Sequence, residues 1–147
     1  MIEFRKAEPT VRRESFLHGT ADEPGELPDV SWFGSDGKAI DWTEDDAALV
    51  CLLRASPSQD DPAAAGRHVL ILVNGGPQPR DFVLPPVARS QQWRLLLDTG
   101  EPSPGDIFSE GDGPPLSSRR KLTLQDRSLV CYVAEQTAAR RRKAGGA

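Results

Sequence analysis

Two apolar runs, His68-Val-Leu-Ile-Leu-Val-Asn74 and Trp93-Arg-Leu-Leu-Leu-Asp98, constrain this chain more than any other feature. Each has the length of a strand, is too short for a buried helix, and is closed by turn residues. Between them lie Gly75-Gly76-Pro77, the short run Asp81-Phe-Val-Leu84 and the breaker Pro85-Pro86. The spacing predicts three consecutive antiparallel strands, with the rest of the chain packing on them or connecting them.

Further runs of the same kind flank this stretch. Asp29-Val-Ser-Trp-Phe33 alternates polar and apolar residues and reads as a half-buried strand, with Val30 and Trp32 on one side. Ala48 to Arg54, Arg120-Lys-Leu-Thr-Leu124 and Ser128-Leu-Val-Cys-Tyr-Val-Ala134 are three more strands, the last two joined by Gln125-Asp126-Arg127. Phe16-Leu-His-Gly19 is a candidate for a further short one. Gly34-Ser-Asp-Gly37 is a turn. In the acidic stretch Asp41-Trp-Thr-Glu-Asp-Asp46, Thr43 is placed to cap a short helical turn. Residues 56–67 and 100–117 are polar or Pro/Gly-rich and are expected to be surface loops. Helices spaced for βαβ units are absent. The reading is all-β: an antiparallel β-sandwich of about seven or eight strands, preceded by a short N-terminal helix.

Size and charge narrow the function classes. A chain of 147 residues makes one domain and buries roughly 70% of its unfolded surface, so it needs no disulfide or metal to fold. The net charge is −4, and setting aside the four cations of Arg140-Arg-Arg-Lys143 leaves a body near −8. Such a body repels phosphate backbones and argues against nucleic acid as the main partner. The basic tail reads as a solvated end. The two cysteines, Cys51 and Cys131, sit inside apolar strand runs and read as small buried hydrophobes. No signal peptide, membrane-length apolar run or lipidation motif is present. The expectation is a cytoplasmic protein with reduced thiols and no membrane partner.

The first stretch differs in kind. Ile2, Phe4, Ala7 and Val11 fall roughly on one helical face among basic and acidic residues, and Pro9 ends the helix near Glu8. Two readings stand: the end of a longer helix whose partner surface lies elsewhere, or a terminal helix docking on its own sheet.

No constellation of catalytic residues is visible. Asp45-Asp46 and Asp60-Asp61 lie in polar loops with nothing apolar to raise a carboxyl pKa, and they lack calcium-loop spacing. His18 and His68 are far apart and lack zinc-site spacing. The cysteines sit among Leu and Val, away from the electropositive setting a nucleophile needs. No serine shows nucleophile-elbow spacing, and no Gly-rich turn opens a helix as a phosphate loop does. The residues therefore call for no catalytic group, cofactor or metal. The aromatics are the remaining candidates, because an indole face suits a sugar ring. Trp32 and Phe33 are consecutive in a strand and face opposite sides, so one must leave the core. Trp32 and Trp93 read as core, and Trp42, in its acidic polar stretch, is the candidate for a surface role.

The order of these pieces carries a resemblance. Asp29-Val-Ser-Trp-Phe-Gly-Ser-Asp-Gly37, the acidic Trp42 stretch, Leu70-Ile-Leu-Val-Asn74, Phe82-Val-Leu-Pro85 and Trp93-Arg-Leu-Leu-Leu-Asp-Thr99 together resemble the C-terminal region of bacterial glycogen debranching enzymes. These are the isoamylase-type α-1,6-glucosidases of the α-amylase superfamily. Ile2-Glu-Phe-Arg-Lys-Ala-Glu-Pro9 and Val11-Arg-Arg-Glu-Ser-Phe16 are similar to that family's Arg-rich helix and exit segment. The resemblance covers roughly residues 1–134. It implies that 1–14 is the end of the last barrel helix, 15–135 the C-terminal sandwich and 136–147 a disordered basic tail. It further implies that the partner is a catalytic barrel, a fold of about 250 residues that this chain cannot contain. Catalytic carboxylates of the family sit on barrel loops, so none maps onto a position here. On this reading an apolar patch that includes Phe4 and Val11 is exposed in the chain alone. A stand-alone α-glucan-binding module and a self-association domain are the alternatives.

Overall fold

The computed structural model describes residues 1–58, 61, 65–118 and 120–135. The Arg140–Lys143 tail and Asp60 lie outside them. Helix α1 (Ile2–Ala7) and a 3-10 turn (Pro9–Val11) lead, among the described residues, into seven strands. These are β1 (Val30–Phe33), β2 (Ala48–Leu53), β3 (Val69–Asn74), β4 (Arg80–Val83), β5 (Trp93–Asp98), β6 (Lys121–Leu124) and β7 (Ser128–Ala134). All pairings are antiparallel. The fold is all-β with one short N-terminal helix, as the sequence predicts.

The pairing differs from the expected run of consecutive strands. The main sheet has the order β1-β2-β3-β7-β5, while β4 leaves it and pairs with β6 in a separate two-stranded sheet. Residues 75–79 therefore link two layers instead of closing a hairpin, and so do residues 125–127 between β6 and β7. The reason lies in the apolar pattern. β3 and β7 carry apolar residues on both faces, whereas β4 alternates exposed Asp81 with fully buried Phe82. A strand with one apolar face belongs in a covering layer, and a strand with two belongs in the middle.

The inner face of the five-stranded sheet meets that layer. Val50, Leu52, Leu70, Leu72, Val130 and Tyr132 pack against Phe82, Leu84 and Leu124. Trp93 joins this core, and its indole N–H donates to the Ala88 carbonyl at 2.7 Å, so the buried polar edge is satisfied. The core reading of Trp93 holds.

The outer face carries a second cluster: Phe4, Val69, Leu96, Cys131 and Val133, with Val11, Leu53, Ile71, Leu97 and Leu129 half-buried around it. Phe4 is 9% exposed. The expected exposed patch of Phe4 and Val11 is thus corrected, because α1 folds back onto its own sheet. Buried Glu8, 2% exposed, holds it there. Its carboxylate accepts from the Thr10 N–H at 3.2 Å and from the Arg67 N–H and Nε, both at 2.9 Å. Met1 and Ile2 remain outward, at 56% and 72% exposure.

Two loops depart from expectation, and a third, a surface loop as expected, does more than connect. Residues 16–19 form no strand; the His18 and Gly19 N–H groups donate to the Asp29 carboxylate at 2.8 and 2.7 Å. A side-chain acceptor has taken the bonds a ladder would need. Thr43 caps no helix; its N–H and Oγ1 donate to Asp41 in a local turn. The loop 100–117 runs along the open edge of β5. Its backbone bonds Leu95, Leu96, Asp98 and Trp93, and Ile107 bridges Leu97. Prolines are tolerated in such an edge strap, which shields β5 from foreign strands. Gly113 allows its approach, since a Cβ there would lie 1.8 Å from the Leu95 carbonyl oxygen.

Candidate functional site

The alternation of β1 sends Phe33 inward to the core and Trp32 outward. Trp32 is 38% exposed, which corrects the expectation of a core side chain. β1 is the edge of the sheet, and Phe4 of α1 packs over β3 and β7, so among the described residues no layer lies above this corner. The chain after β1 doubles back beside it: the Ile40 N–H donates to the Trp32 carbonyl, and Ala39 bridges Phe33. That return places Trp42 against Trp32. The ring centroids lie 5.9 Å apart with planes at 68°, an edge-to-face pair. Trp42 itself is 68% exposed.

The segment bearing Trp42 is fixed from both sides. Asp41 accepts from the Thr43 N–H at 2.9 Å and from Thr43 Oγ1 at 2.6 Å, and the hydroxyl and then the amide hold its carboxyl below the usual range. Downstream, Asp46 accepts from Ala48 N–H and forms a two-pronged ion pair with Arg80 of β4. Beside Trp42 opens a hollow of about 620 Å³. Ile40, Leu49 and Val73 give it an apolar floor; Lys38, Asp46 and Arg80 stand on its rim.

The other sequence candidates do not converge on this hollow as a catalytic set. Asp46 is tied up by Arg80, and Asp45 is exposed. Asp61 is exposed and donates its N–H to Ser58. His68 Nδ1 accepts from the Ala55 N–H, whereas His18 sits on the 15–28 loop. Among the described residues no group of three or more His, Cys, Asp or Glu could hold a metal ion. Cys51 and Cys131 both pair with Ile71, so they share the outer face with β3 between them. Burial pushes the Cys51 thiol up to about 11, and burial with the neighbouring Cys51 pushes Cys131 to about 12. Neither is set up as a nucleophile.

A second hollow of about 530 Å³ lies between the 22–26 loop and the start of β3. Its two arginines are already paired, Arg54 with Asp22 and Glu26 and Arg67 with Glu8 and Glu110. Sequence reasoning overlooked the two carboxylates that organise the surroundings, Glu8 and Asp29. The signal for Asp29 was present, a carboxylate one residue ahead of a strand and just after a Pro-rich loop.

The fold and this surface define a class: an antiparallel sandwich whose exposed feature is an aromatic corner beside a hollow. No family model matches the chain. It is similar to an isoamylase of a Flavobacterium species, 25% identical over 142 residues, or 92% of this chain. It spans only 18% of that isoamylase's length. Among the described residues no helix is long and apolar enough to cross a membrane.

Proposed function

We propose that this chain is the C-terminal β-sandwich domain of an isoamylase-type debranching enzyme, non-catalytic in itself and packed on a catalytic barrel. The parent would hydrolyse α-1,6 branch links in glycogen or limit dextrin. The observation that carries the reading is the isoamylase similarity, which runs over 92% of this chain and 18% of the relative. The outer sheet face supports it. Ile71 and Leu129 are apolar yet only half-buried at the border of the Phe4 cluster. The length of the relative outside the matched part supplies an occupant for that face, the remainder of such a chain. In this reading residues 1–14 enter from the barrel, 15–135 form the sandwich, and the whole stays in the cytoplasm, where buried free thiols are at home.

The test has two arms. The reading frame upstream of Met1 is sequenced, and a barrel with paired acidic residues is expected in frame. The 147-residue chain is also incubated with amylopectin, and no release of linear maltodextrin is expected. An in-frame stop just upstream, or debranching by this chain alone, would overturn the proposal.

A further inference from the structure

We infer that the Trp32–Trp42 corner and the adjoining hollow bind an α-linked gluco-oligosaccharide, with successive rings against the two indoles. The inference rests on the reading above for the sugar's identity, while the site itself stands on geometry. A pyranose ring has an apolar C–H face and a belt of hydroxyls, so it needs an apolar plate beside hydrogen-bonding groups. Trp42 offers such a plate at 68% exposure, and Trp32 offers a second at 38%. The planes meet at 68°, which suits a chain whose rings turn relative to one another. An α-1,4 linkage bends the chain in this way; a β-1,4 linkage keeps its rings nearly coplanar and would engage one plate only.

The rim charges favour a neutral ligand. Three of the lining carboxylates are already engaged: Asp36 by Lys38, Asp41 by Thr43 and Asp46 by Arg80. With Glu44 the hollow is net acidic, so phosphorylated ligands are repelled. Lys38 and Arg80 still have N–H groups to offer hydroxyls, because each has more donors than its one carboxylate partner occupies. The platform is pre-formed, since the Asp41 turn and the Asp46–Arg80 pair fix the backbone on both sides of Trp42. Little ordering is left for binding to impose.

The test is a titration of the 147-residue chain with maltoheptaose, followed through the three indole N–H signals by NMR. Trp32 and Trp42 should shift in the millimolar range, whereas Trp93, buried and bonded to Ala88, should stay fixed as an internal control. Trp42→Ala should weaken binding by about tenfold, the loss of one stacking contact. Trp32→Ala, a second variant, should weaken it as well, with the Trp93 signal reporting that each variant is folded. Cellohexaose should bind clearly more weakly. No shift of Trp32 or Trp42 at about 10 mM maltoheptaose, where a Kd ten times tighter would saturate the site, overturns the inference. So does an equal response to cellohexaose. That failure leaves the proposed parent enzyme standing, because its test reads the upstream frame and the debranching reaction instead.

Discussion

Asp29→Asn is the perturbation that best probes how the aromatic corner is anchored. Asp29 sits one residue before β1 and is 6% exposed. Its Oδ1 accepts from Gly19 N–H at 2.7 Å and Val30 N–H at 2.8 Å, its Oδ2 from His18 N–H at 2.8 Å, and Arg13 lies 3.7 Å away. Its backbone also bonds Thr20 and Arg54. Burial alone would raise this carboxyl, but the three amides and then Arg13 outweigh it and hold the pKa below 3.8. An asparagine keeps one oxygen and so at most two of the amide bonds. It sets an NH₂ against the third N–H and loses the charge. One charge-assisted bond is lost and two are weakened, about 2–3 kcal/mol together, with partial exposure of the loop keeping it at that level. In a chain of this size that is a fall in Tm of roughly 5–10 °C. The sign with pH is fixed: a depressed carboxyl stabilises the fold above its unfolded value near 3.8, and this is lost as pH falls through the folded value. Urea unfolding of both proteins at pH 7 and again near pH 3 reads it. The gap should be largest at neutral pH and shrink in acid. A gap under about 0.5 kcal/mol at pH 7, or one that widens in acid, would refute the account.

Four further outcomes are expected. Phe82→Ala removes a fully buried ring that joins the two sheets and should cost about 3–5 kcal/mol in chemical denaturation. Gly113→Ala should free the strap from β5, seen as faster amide exchange at Leu95, Asp98 and Leu116. Both thiols should resist a disulfide reagent at pH 8 until denaturant is added. Because their pKa values stand at about 11 and 12 against 9.0 unfolded, stability should decline as pH rises from 9 towards those values. Val133→Asp places a charge under Phe4 and should cost several kcal/mol, whereas Leu129→Asp, half-exposed, should cost much less when both are unfolded in urea.

The strands were legible because their apolar runs are short and sharply bounded. Six of the seven begin and end within two residues of the turn signals around them, and β4 is the run Asp81–Leu84 displaced by one. What a run cannot state is its neighbour. β4 and β6 look like hairpin partners of β3 and β7 along the chain, yet burial places them in the opposite layer. Trp32 shows the same limit on a smaller scale. Alternation told that Trp32 and Phe33 must part, but which one turned inward depended on Trp32 pairing with Cys51 at the bare edge of the sheet. The exposed placement of Trp42 was legible from its polar surroundings; its meeting with Trp32 was not, since a bridge through Ala39 and the Asp41 turn created it.

The central strands carry apolar side chains on both faces. β2, β3 and β7 are apolar at successive positions, whereas a sheet with a wet outer face would alternate. Register sorts the outer side chains into three rows: Leu53–Val69–Val133, Cys51–Ile71–Cys131 and Leu49–Val73–Leu129. Phe4 packs at the first row, where Val69 and Val133 are buried. The second row keeps its cysteines buried and Ile71 half-open, and every member of the third is half-open. The first two rows each keep two members buried and one half-open, whereas the third keeps none buried. A helix of six residues cannot reach further, because at 1.5 Å per residue it spans only about 9 Å. Leu49 and Val73 of the third row floor the hollow beside Trp42, while Leu129 packs at the border of the Phe4 cluster. On the function proposed above, the partner sits on the Ile71–Leu129 part of that face, and the hollow with its aromatic corner stays open.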